Sequence, residues 1–356
     1  MKTELITQAM NAHRAGKPLW RQLNELLQLS RSPNHLSPSE YYDFALYDDA
    51  RFNADDKREF IGWRSPITGA ANSPIWHALA NDKLAWQGLM QGFGFPTPTT
   101  YAVFHSAGRS AGNVPVLRDL EAMGQFIRTQ LPTPWFGKPV QGVFGLGDVI
   151  TEQYRAEDDS LLLANGTRLP VGQFLSNLPN PGNLGYLFQE VLGASDAYAA
   201  LSGPRLASIR FITLNGPTGP ELLRTEWKIP CGRNMVDNYN GGKSGNRLAW
   251  VDNDGVVRRV LAGGFGAQAE TASPHPDTGA PLLGTRLPNW DALRDLALST
   301  TRAFPGLRLQ GWDIADTQRG PVALEVNLVT PGGAYAAQRI SGRGLLVPAL
   351  RRLLGE

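Results

Sequence analysis

The stretch QGWDIADTQRGPVALEVN, residues 310–327, contains two short apolar runs on either side of a polar turn. A three-residue turn at Gln318–Gly320, with its glycine in the left-handed conformation, would place Asp313 opposite Glu325 in a β-hairpin. Asn327 then shares their face, because side chains alternate along a strand. Two carboxylates and an amide oxygen among apolar neighbours predict a Mg²⁺ site, which needs few protein ligands when phosphates supply the others. A solvated sheet face with incidental acids is the alternative.

A glycine-rich segment, GKPVQGVFGLG at residues 137–147, stands upstream. Lys138 lies on a predicted strand, and the following loop with Gly142, Gly145 and Gly147 leads into another strand. This context argues against a dinucleotide-binding fingerprint, whose glycines must open a helix. It favours a β-loop whose backbone N–H groups cover phosphates, with the lysine as a point charge. Alone, the glycines would be explained equally well by a tight turn.

Several other chemistries are disfavoured. Gly242-Lys243-Ser244 resembles the end of a P-loop, but Asp237 stands where that motif requires glycine. The five histidines show no metal-ligand spacing, so zinc is not expected. Ser202 lacks the Gly-x-Ser-x-Gly pattern of a hydrolase nucleophile, and Cys231 is better explained as a buried thiol.

Composition restricts the class of protein but not its partners. The length of 356 residues predicts one large domain or two to three subdomains. The net charge of +2 gives no argument for nucleic acid or for an anionic membrane. A single cysteine excludes an intrachain disulfide, and neither a signal peptide nor a membrane span is visible. We therefore expect a cytoplasmic protein with no nucleic-acid partner and no membrane insertion; a homo-oligomer is left open.

Apolar spacing predicts how the chain is organised. The first hundred residues are predicted to be mostly helical, with a capping box at Ser37–Glu40 and a helix opened by Asn81-Asp82-Lys83. Strands are predicted from Tyr101 onward. The later elements are predicted as hairpins over 209–228 and 248–261, a helix around Trp290–Ala297, and a C-terminal helix carrying Leu345, Leu346, Leu350 and Leu353.

In their order along the chain, these blocks resemble the ATP-grasp superfamily, and specifically its sugar-transfer-associated branch. The resembling blocks are Asn81-Asp82-Lys83, Gly137-Lys138-Pro139 with its glycine loop, Gln189-Glu190, Ser208-Ile209-Arg210, Val236-Asp237-Asn238 with Gly241-Gly242, His275-Pro276-Asp277-Thr278-Gly279, Gly311-Trp312-Asp313, and Glu325-Val326-Asn327.

The resemblance implies an α+β ATP-grasp fold in which two lobes clasp ATP, preceded by a helical region. It divides the chain into a helical N-terminal region at 1–100, a small lobe with the glycine-rich flap at 101–190, and a large lobe at 191–356. The large lobe would hold the Mg²⁺-binding hairpin and the acceptor site.

Roles follow from the resemblance residue by residue. Lys138 would contact the ATP phosphates, the three loop glycines would form a mobile flap, and Glu190 would meet the adenine and ribose at the hinge between the lobes. Asp313, Glu325 and Asn327 would hold Mg²⁺. Lys83 is expected to be a surface helix residue.

Two further groups of residues are candidates. Arg210 and Lys228 face the same side of paired strands, where they would stabilise the transferred phosphate; ordinary cross-strand surface charges are the alternative. Residues special to this branch are candidates for the acceptor site, although a loop held by turn geometry would explain them as well. They are Asp237, Asn238, Gly241, Gly242 and His275.

The resemblance implies an ATP-dependent carboxylate–amine ligase. A small-molecule carboxylate would attack the γ-phosphate to give an acyl phosphate, which an amine would capture as an amide or peptide bond. An ATP-grasp small-molecule kinase is one alternative, and a nucleotide-binding module of a polysaccharide biosynthesis system is another.

Overall fold

The structure is a computed structural model that describes residues 2–142, 145–178, 185–265, 270–271 and 273–355. Before the first strand this part of the chain is helical, as the sequence predicts. Its helices are α1 (Lys2–Arg14), α2 (Leu19–Arg31), α3 (Pro38–Asp43), α4 (Ala54–Arg58), α5 (Ile67–Ala70), a 3-10 turn at Pro74–Trp76, α6 (His77–Asn81) and α7 (Lys83–Gly92). The predicted capping box is present at the start of α3, where Ser37 and Glu40 cap each other. No helix among the described residues is long and apolar enough to cross a bilayer.

A first mixed sheet follows. Its elements are β1 (Thr100–Phe104), β2 (Val116–Leu117), α8 (Leu120–Thr129), β3 (Trp135–Pro139), β4 (Val149–Arg155), β5 (Ser160–Leu163), β6 (Arg168–Pro170), α9 (Val171–Ser176) and β7 (Tyr186–Glu190). In space the strand order is β2-β1-β7-β3-β4-β5-β6. An aromatic core of Trp135, Phe174 and Phe188 packs α9 against this sheet.

The second sheet is larger and antiparallel. Its elements are α10 (Asp196–Ser202), β8 (Ile209–Gly216), β9 (Gly219–Ile229), a 3-10 turn at Asn240–Gly242, β10 (Arg247–Val251), β11 (Val257–Ala262), β12 (Glu270–Thr271), α11 (Trp290–Thr301), β13 (Leu309–Thr317), β14 (Gly320–Leu328), α12 (Pro331–Ser341) and α13 (Pro348–Leu354). The strand order is β12-β11-β10-β9-β8-β13-β14.

The two faces of the large sheet have different roles. One face buries Phe211, Trp227 and Trp312 against α7, α10 and α11, and forms the largest apolar core of the described residues. The alternating side chains of the same strands point to the opposite face. There, apolar residues such as Ile212 and Leu309 pack against α12 and α13. The charged residues of this face line the cavity between the two sheets.

The β13–β14 hairpin has the predicted pairing of Asp313 with Glu325, but with a shorter turn and a β-bulge. Its turn has two residues rather than three, since Thr317 pairs with Gly320. A β-bulge between the Asp313–Glu325 and Ile314–Ala323 pairs inserts Leu324 as one extra residue, which restores the register. Asp313 therefore does lie opposite Glu325, although the predicted turn length was wrong.

Several helices were missed or misplaced by the sequence analysis. The helices α8, α10 and α12 were not predicted, although Asp119 caps α8 and Thr330 caps α12 through their side chains. In α12 the proline at position 331 occupies the first turn, where its missing N–H costs no helical hydrogen bond. The last helix begins at Pro348, so Leu345 and Leu346 precede it as buried core residues.

The N-terminal region is fastened to the large sheet through Gln338 of α12. The Gln338 side chain is fully buried; its amide donates to the Ile61 carbonyl, and its oxygen accepts from the Ile61 N–H at 2.7 Å. Replacing Gln338 with Ala should leave both backbone groups of Ile61 unpaired and lower the free energy of unfolding by about 3 kcal/mol. Urea denaturation measures this.

The matched control is Gln125→Ala, a change at an exposed position of α8. It should shift the unfolding free energy by less than about 0.5 kcal/mol. Equal effects of the two substitutions would show that Gln338 does not fasten the N-terminal region.

Candidate active site

A cavity of about 630 Å³ lies between the two sheets. The small sheet contributes Phe136 and Lys138, and the large sheet contributes the charged side chains of β8, β9, β13 and β14. The chain passes from the small sheet to the large sheet after β7. Residues 189–193, at the end of this strand and just beyond it, which we call the hinge, line the cavity. Residues of both lobes and of the glycine loop thus surround one space.

A buried ionic cluster forms the floor of this cavity. Arg210 donates two hydrogen bonds to Asp313, from Nε to Oδ1 at 2.8 Å and from Nη2 to Oδ2 at 2.7 Å. Lys228 Nζ donates to the same Oδ2 at 3.0 Å. Burial alone would raise the pKa of Asp313, but the two cations hold that pKa well below its usual range. The carboxylate is therefore charged and already compensated.

Glu325 and Asn327 adjoin this cluster from β14. Asn327 Nδ2 donates to Glu325 Oε1 at 3.0 Å and lies 3.4 Å from Asp313 Oδ2. The three side chains predicted as metal ligands are therefore in mutual contact. In this orientation the amide donates to the carboxylates; turning it over would present its oxygen to a cation instead.

Lys83, expected to be a surface residue, lies in the site. Its side chain is only 13% exposed; Nζ is 3.7 Å from Glu325 Oε2 and donates to the Gly142 carbonyl at 3.1 Å. The N-cap Asp82 fixes the start of α7 and so aims this first helical residue at the cavity. The expectation was wrong because helical spacing cannot show which loop packs over a helix end.

Lys138 is buried and, among the described residues, its Nζ has no hydrogen-bond or ion-pair partner. Burial lowers its pKa, despite the opposing effect of Glu325. Asp148, which sequence reasoning missed, lines the same region, and burial raises its pKa to about 6. An unpaired cation and a partly protonated acid thus lie together beside the glycine loop.

The glycine loop joins β3 to β4 of the small sheet and contacts the large lobe. Gly145 and Gly147 have positive φ angles of 69° and 85°, and a Cβ on Gly145 would lie 2.7 Å from Asn238 Nδ2 of the large lobe. The Tyr186 hydroxyl donates to the Gly147 carbonyl at 3.0 Å. Val143 and Phe144, part of the predicted flap, lie outside the described residues. The loop does lead into a strand, as the sequence predicts.

Glu190 ends β7 at the hinge and lines the cavity. Its carboxylate accepts from the Thr99 N–H and from Arg319 Nη2, both at 2.7 Å. The neighbouring Gln189 is buried, and its amide oxygen has no partner among the described residues. Both side chains lie at the apolar end of the cavity, near Phe136.

The predicted acceptor residues separate into two groups. Asp237 and Asn238 line the cavity, and Asp237 accepts from the Ser208 N–H at 2.7 Å while lying 3.7 Å from Lys228 Nζ. Asp237 thus helps to place Lys228.

Gly241, Gly242 and His275 are not among the described residues that line the cavity. Gly242 is needed because a Cβ there would overlap the Gly263 carbonyl. His275 is buried; its Nδ1 accepts from the N–H groups of Asp277 and Thr278, so Nε2 carries the proton that bonds the Pro230 carbonyl at 3.0 Å. These three residues shape the loop instead of facing the cavity.

The oxygen donors of Asp313, Glu325 and Asn327 at the floor of the cavity suit a metal that needs few protein ligands. Among the described residues no group of three or more His, Cys, Asp or Glu side chains could hold an ion. Two carboxylates and one amide are too few for a closed protein site. They fit Mg²⁺, which retains water or phosphate oxygens in its remaining positions.

The fold is thus one of two α+β lobes whose cleft is lined by a glycine loop, a buried lysine and an acidic hairpin. The sequence matches the model of the sugar-transfer associated ATP-grasp family over residues 64–349, and the chain belongs to that family. Among proteins with curated descriptions, none matches this chain in sequence.

Solved structures with a related arrangement are only distantly similar. An L-amino acid ligase from Bacillus licheniformis has a TM-score of 0.42 at 12% identity, covering 78% of this chain and 48% of its own. The VanG D-Ala:D-Ser ligase from Enterococcus faecalis has a TM-score of 0.44 at 12% identity, covering 80% and 64%. The chain thus spans about half to two thirds of these relatives.

Glu226, a further acid that the sequence analysis missed, lies opposite Arg210 on β9. It is buried, its Oε1 has no hydrogen-bond partner among the described residues, and burial raises its pKa to about 7 despite Arg210 and Lys228. Between pH 4.5 and 7 the unfolded chain loses this proton while the folded protein keeps it, so stability falls as pH rises.

Glu226→Gln should remove this pH dependence. Relative to the wild type, the variant should gain up to about 3 kcal/mol in free energy of unfolding between pH 4.5 and pH 8. Denaturant unfolding at several pH values measures the difference. Glu221→Gln, an exposed position on the same strand, should show no such gain; parallel curves for all three proteins would contradict the assignment.

Proposed function

We propose that this protein is an ATP-dependent carboxylate–amine ligase that forms an amide or peptide bond through an acyl phosphate. The observation that carries the proposal is the arrangement of Asp313, Glu325 and Asn327 beside the cations Arg210, Lys228 and Lys83 in one cleft. Acids that hold a metal and cations that receive phosphate oxygens are the parts that phosphoryl transfer requires. Family membership supports the use of ATP but leaves the reaction and substrates as part of this proposal.

ATP would lie along the cavity, with its base at the hinge. The apolar side chains near Phe136 suit the adenine, and Gln189, whose amide oxygen lacks a partner among the described residues, can accept a hydrogen bond from an amino group. Glu190 would meet the ribose. The phosphates would reach Lys138, whose pKa is lowered by burial and whose Nζ makes no hydrogen bond or ion pair with the described residues. Gly142, Gly145 and Gly147 would cover them with backbone N–H groups.

Asp313, Glu325 and Asn327 would hold Mg²⁺. A bound Mg²⁺ neutralises charge on the phosphates during transfer. Asp313 would exchange part of its present pairing with Arg210 and Lys228 for the metal. These two cations would then be free to bind oxygens of the transferred phosphoryl group or of the acyl phosphate.

The chemical steps require no covalent nucleophile from the protein. A substrate carboxylate oxygen bonds to the γ-phosphorus and ADP leaves; an amine nitrogen then bonds to the carbonyl carbon, phosphate leaves, and the amine loses a proton. The cleft orients both substrates and excludes water that would hydrolyse the acyl phosphate. Asp237 and Asn238, at the cavity wall, are the proposed acceptor residues. The division at residues 100 and 190 and the cytoplasmic location remain predictions.

Product analysis with Mg²⁺-ATP and panels of acids and amines, singly and in pairs, tests the function. We expect ADP, free phosphate and an amide from one pair of substrates. Glu325→Gln should reduce turnover by at least about a thousandfold, because it removes a charged metal ligand from the transition state. The reaction should be followed by phosphate release and mass spectrometry.

The control Glu221→Gln should keep full turnover. A phosphorylated product with no free phosphate would identify a kinase instead, and ATP binding without any turnover would favour a binding module. Full activity in Glu325→Gln would contradict the metal assignment while leaving the fold unaffected.

Lys83 gives a separate prediction about nucleotide binding. Lys83→Met removes a charge that faces both the glycine loop and Glu325, so the KM for ATP should rise about tenfold or more. Steady-state kinetics with varied Mg²⁺-ATP measures it. Lys243→Met, at the exposed lysine of the P-loop-like sequence, should leave KM unchanged; the opposite pattern would reverse our assignment of the two lysines.

A further inference from the structure

The helix α2 exposes an apolar stripe to solvent. Leu19, Trp20, Leu23 and Leu27 are between 42% and 66% exposed. At 3.6 residues per turn they fall within about 100° of the helix circumference, so they form one continuous surface. The opposite side of α2 buries Gln22 and Leu29, so the helix is packed on its other face. The helix is therefore packed on the protein through one side, and the apolar stripe lies on its solvent side.

The neighbouring helix α1 exposes a second apolar pair. Ile6 and Met10 lie one turn apart and are 65% and 38% exposed. The two helices are adjacent, since Gln22 Nε2 of α2 donates to the Ala9 carbonyl of α1 at 3.2 Å. Both helices precede residues 64–349, so this surface is not part of the shared family fold.

The exposed charges of these helices are mainly basic. Arg14, Arg21 and Arg31 are exposed, and the Arg21 guanidinium lies 5.3 Å from the centre of the Trp20 ring. Against them, Glu4 is the exposed acid among the described side chains of α1 and α2.

The other acid of α2, Glu25, turns inward. It binds Lys17 at 2.5 Å and Lys57 at 3.1 Å, and it accepts from the Tyr41 hydroxyl at 2.7 Å. Its charge is thus already compensated beneath the helix. The outer surface combines leucines, a tryptophan and arginines, the composition of helices that lie in the interface of an anionic membrane.

A second copy of the chain fits this surface less well. Pairing two such surfaces would bring Arg14, Arg21 and Arg31 close to their copies, and among the described side chains of α1 and α2 Glu4 is the exposed acid that could neutralise them. An anionic lipid surface instead supplies both an apolar layer and the opposite charge.

We propose that α1 and α2 dock this protein on an anionic lipid membrane surface, with the stripe at the level of the headgroups and none of the described helices crossing the bilayer. The proposal is independent of the ligase reaction. It requires only the exposed side chains of two helices that pack on the rest of the protein through their other faces.

Flotation with vesicles of phosphatidylcholine, or of phosphatidylglycerol and phosphatidylcholine at about 3:7, tests the proposal with the full chain. Binding should occur on the anionic vesicles and fall steeply as salt rises from about 0.05 to about 0.5 M. The double variant Trp20→Glu and Leu23→Glu should lower the bound fraction about tenfold, and so should Arg21→Glu with Arg31→Glu.

Ile75→Glu is the matched control, because Ile75 is 87% exposed and lies outside the stripe; it should bind like the wild type. Circular dichroism melting checks that every variant folds. Absence of binding to anionic vesicles, or equal binding by the stripe variants, would overturn the proposal. A dimer in sedimentation experiments that the stripe variants abolish, without vesicle binding, would assign the surface to a second copy instead.

Discussion

The buried contact between Asp313 and Arg210 is the constraint on which the rest of the site depends. Placing an ionised carboxylate in a protein interior is costly unless it is paired and hydrogen-bonded, and here two cations on neighbouring strands satisfy it. Gly311, two residues before Asp313, lies beside the same cluster: a Cβ there would be in ordinary contact with Arg210 Cδ at 3.7 Å. This face of the large sheet can therefore hold an ionised carboxylate in the interior. In the proposed mechanism Asp313 would exchange part of its pairing with Arg210 and Lys228 for the metal.

The surrounding architecture holds in place the strands that carry these charges. Aromatic side chains on the reverse face of the large sheet, including Trp227 and Trp312, fix the strands that carry Lys228 and Asp313. The hinge and the glycine loop then bring the small lobe over the same face.

Short-range patterns in the sequence were enough to predict much of this arrangement. Alternation along the strands predicted the shared face of Asp313, Glu325 and Asn327, and parity predicted that of Arg210 and Lys228. Lys83 was expected at the surface and Asp148 was missed because they reach the site through contacts between distant segments, which periodicity does not encode. Glu226 was overlooked although alternation along β9 puts it on the same face as Lys228. For His275 the sequence analysis left two interpretations open, a binding loop or a loop held by turn geometry; its ring accepts hydrogen bonds from the N–H groups of its own turn, and its role at the acceptor site stays a prediction.

The bulge at Leu324 separates the tip of the last hairpin from its base. Because an extra residue lies between the turn and Glu325, the pairing near the turn has a different register from the pairing at the acids. The same irregularity places both Leu324 and Glu325 on the cavity wall, although neighbouring residues of a regular strand would point to opposite faces. One local irregularity in the ladder therefore gives the site an apolar side chain and a charged side chain from consecutive positions, while Arg319 at the turn of the hairpin binds Glu190.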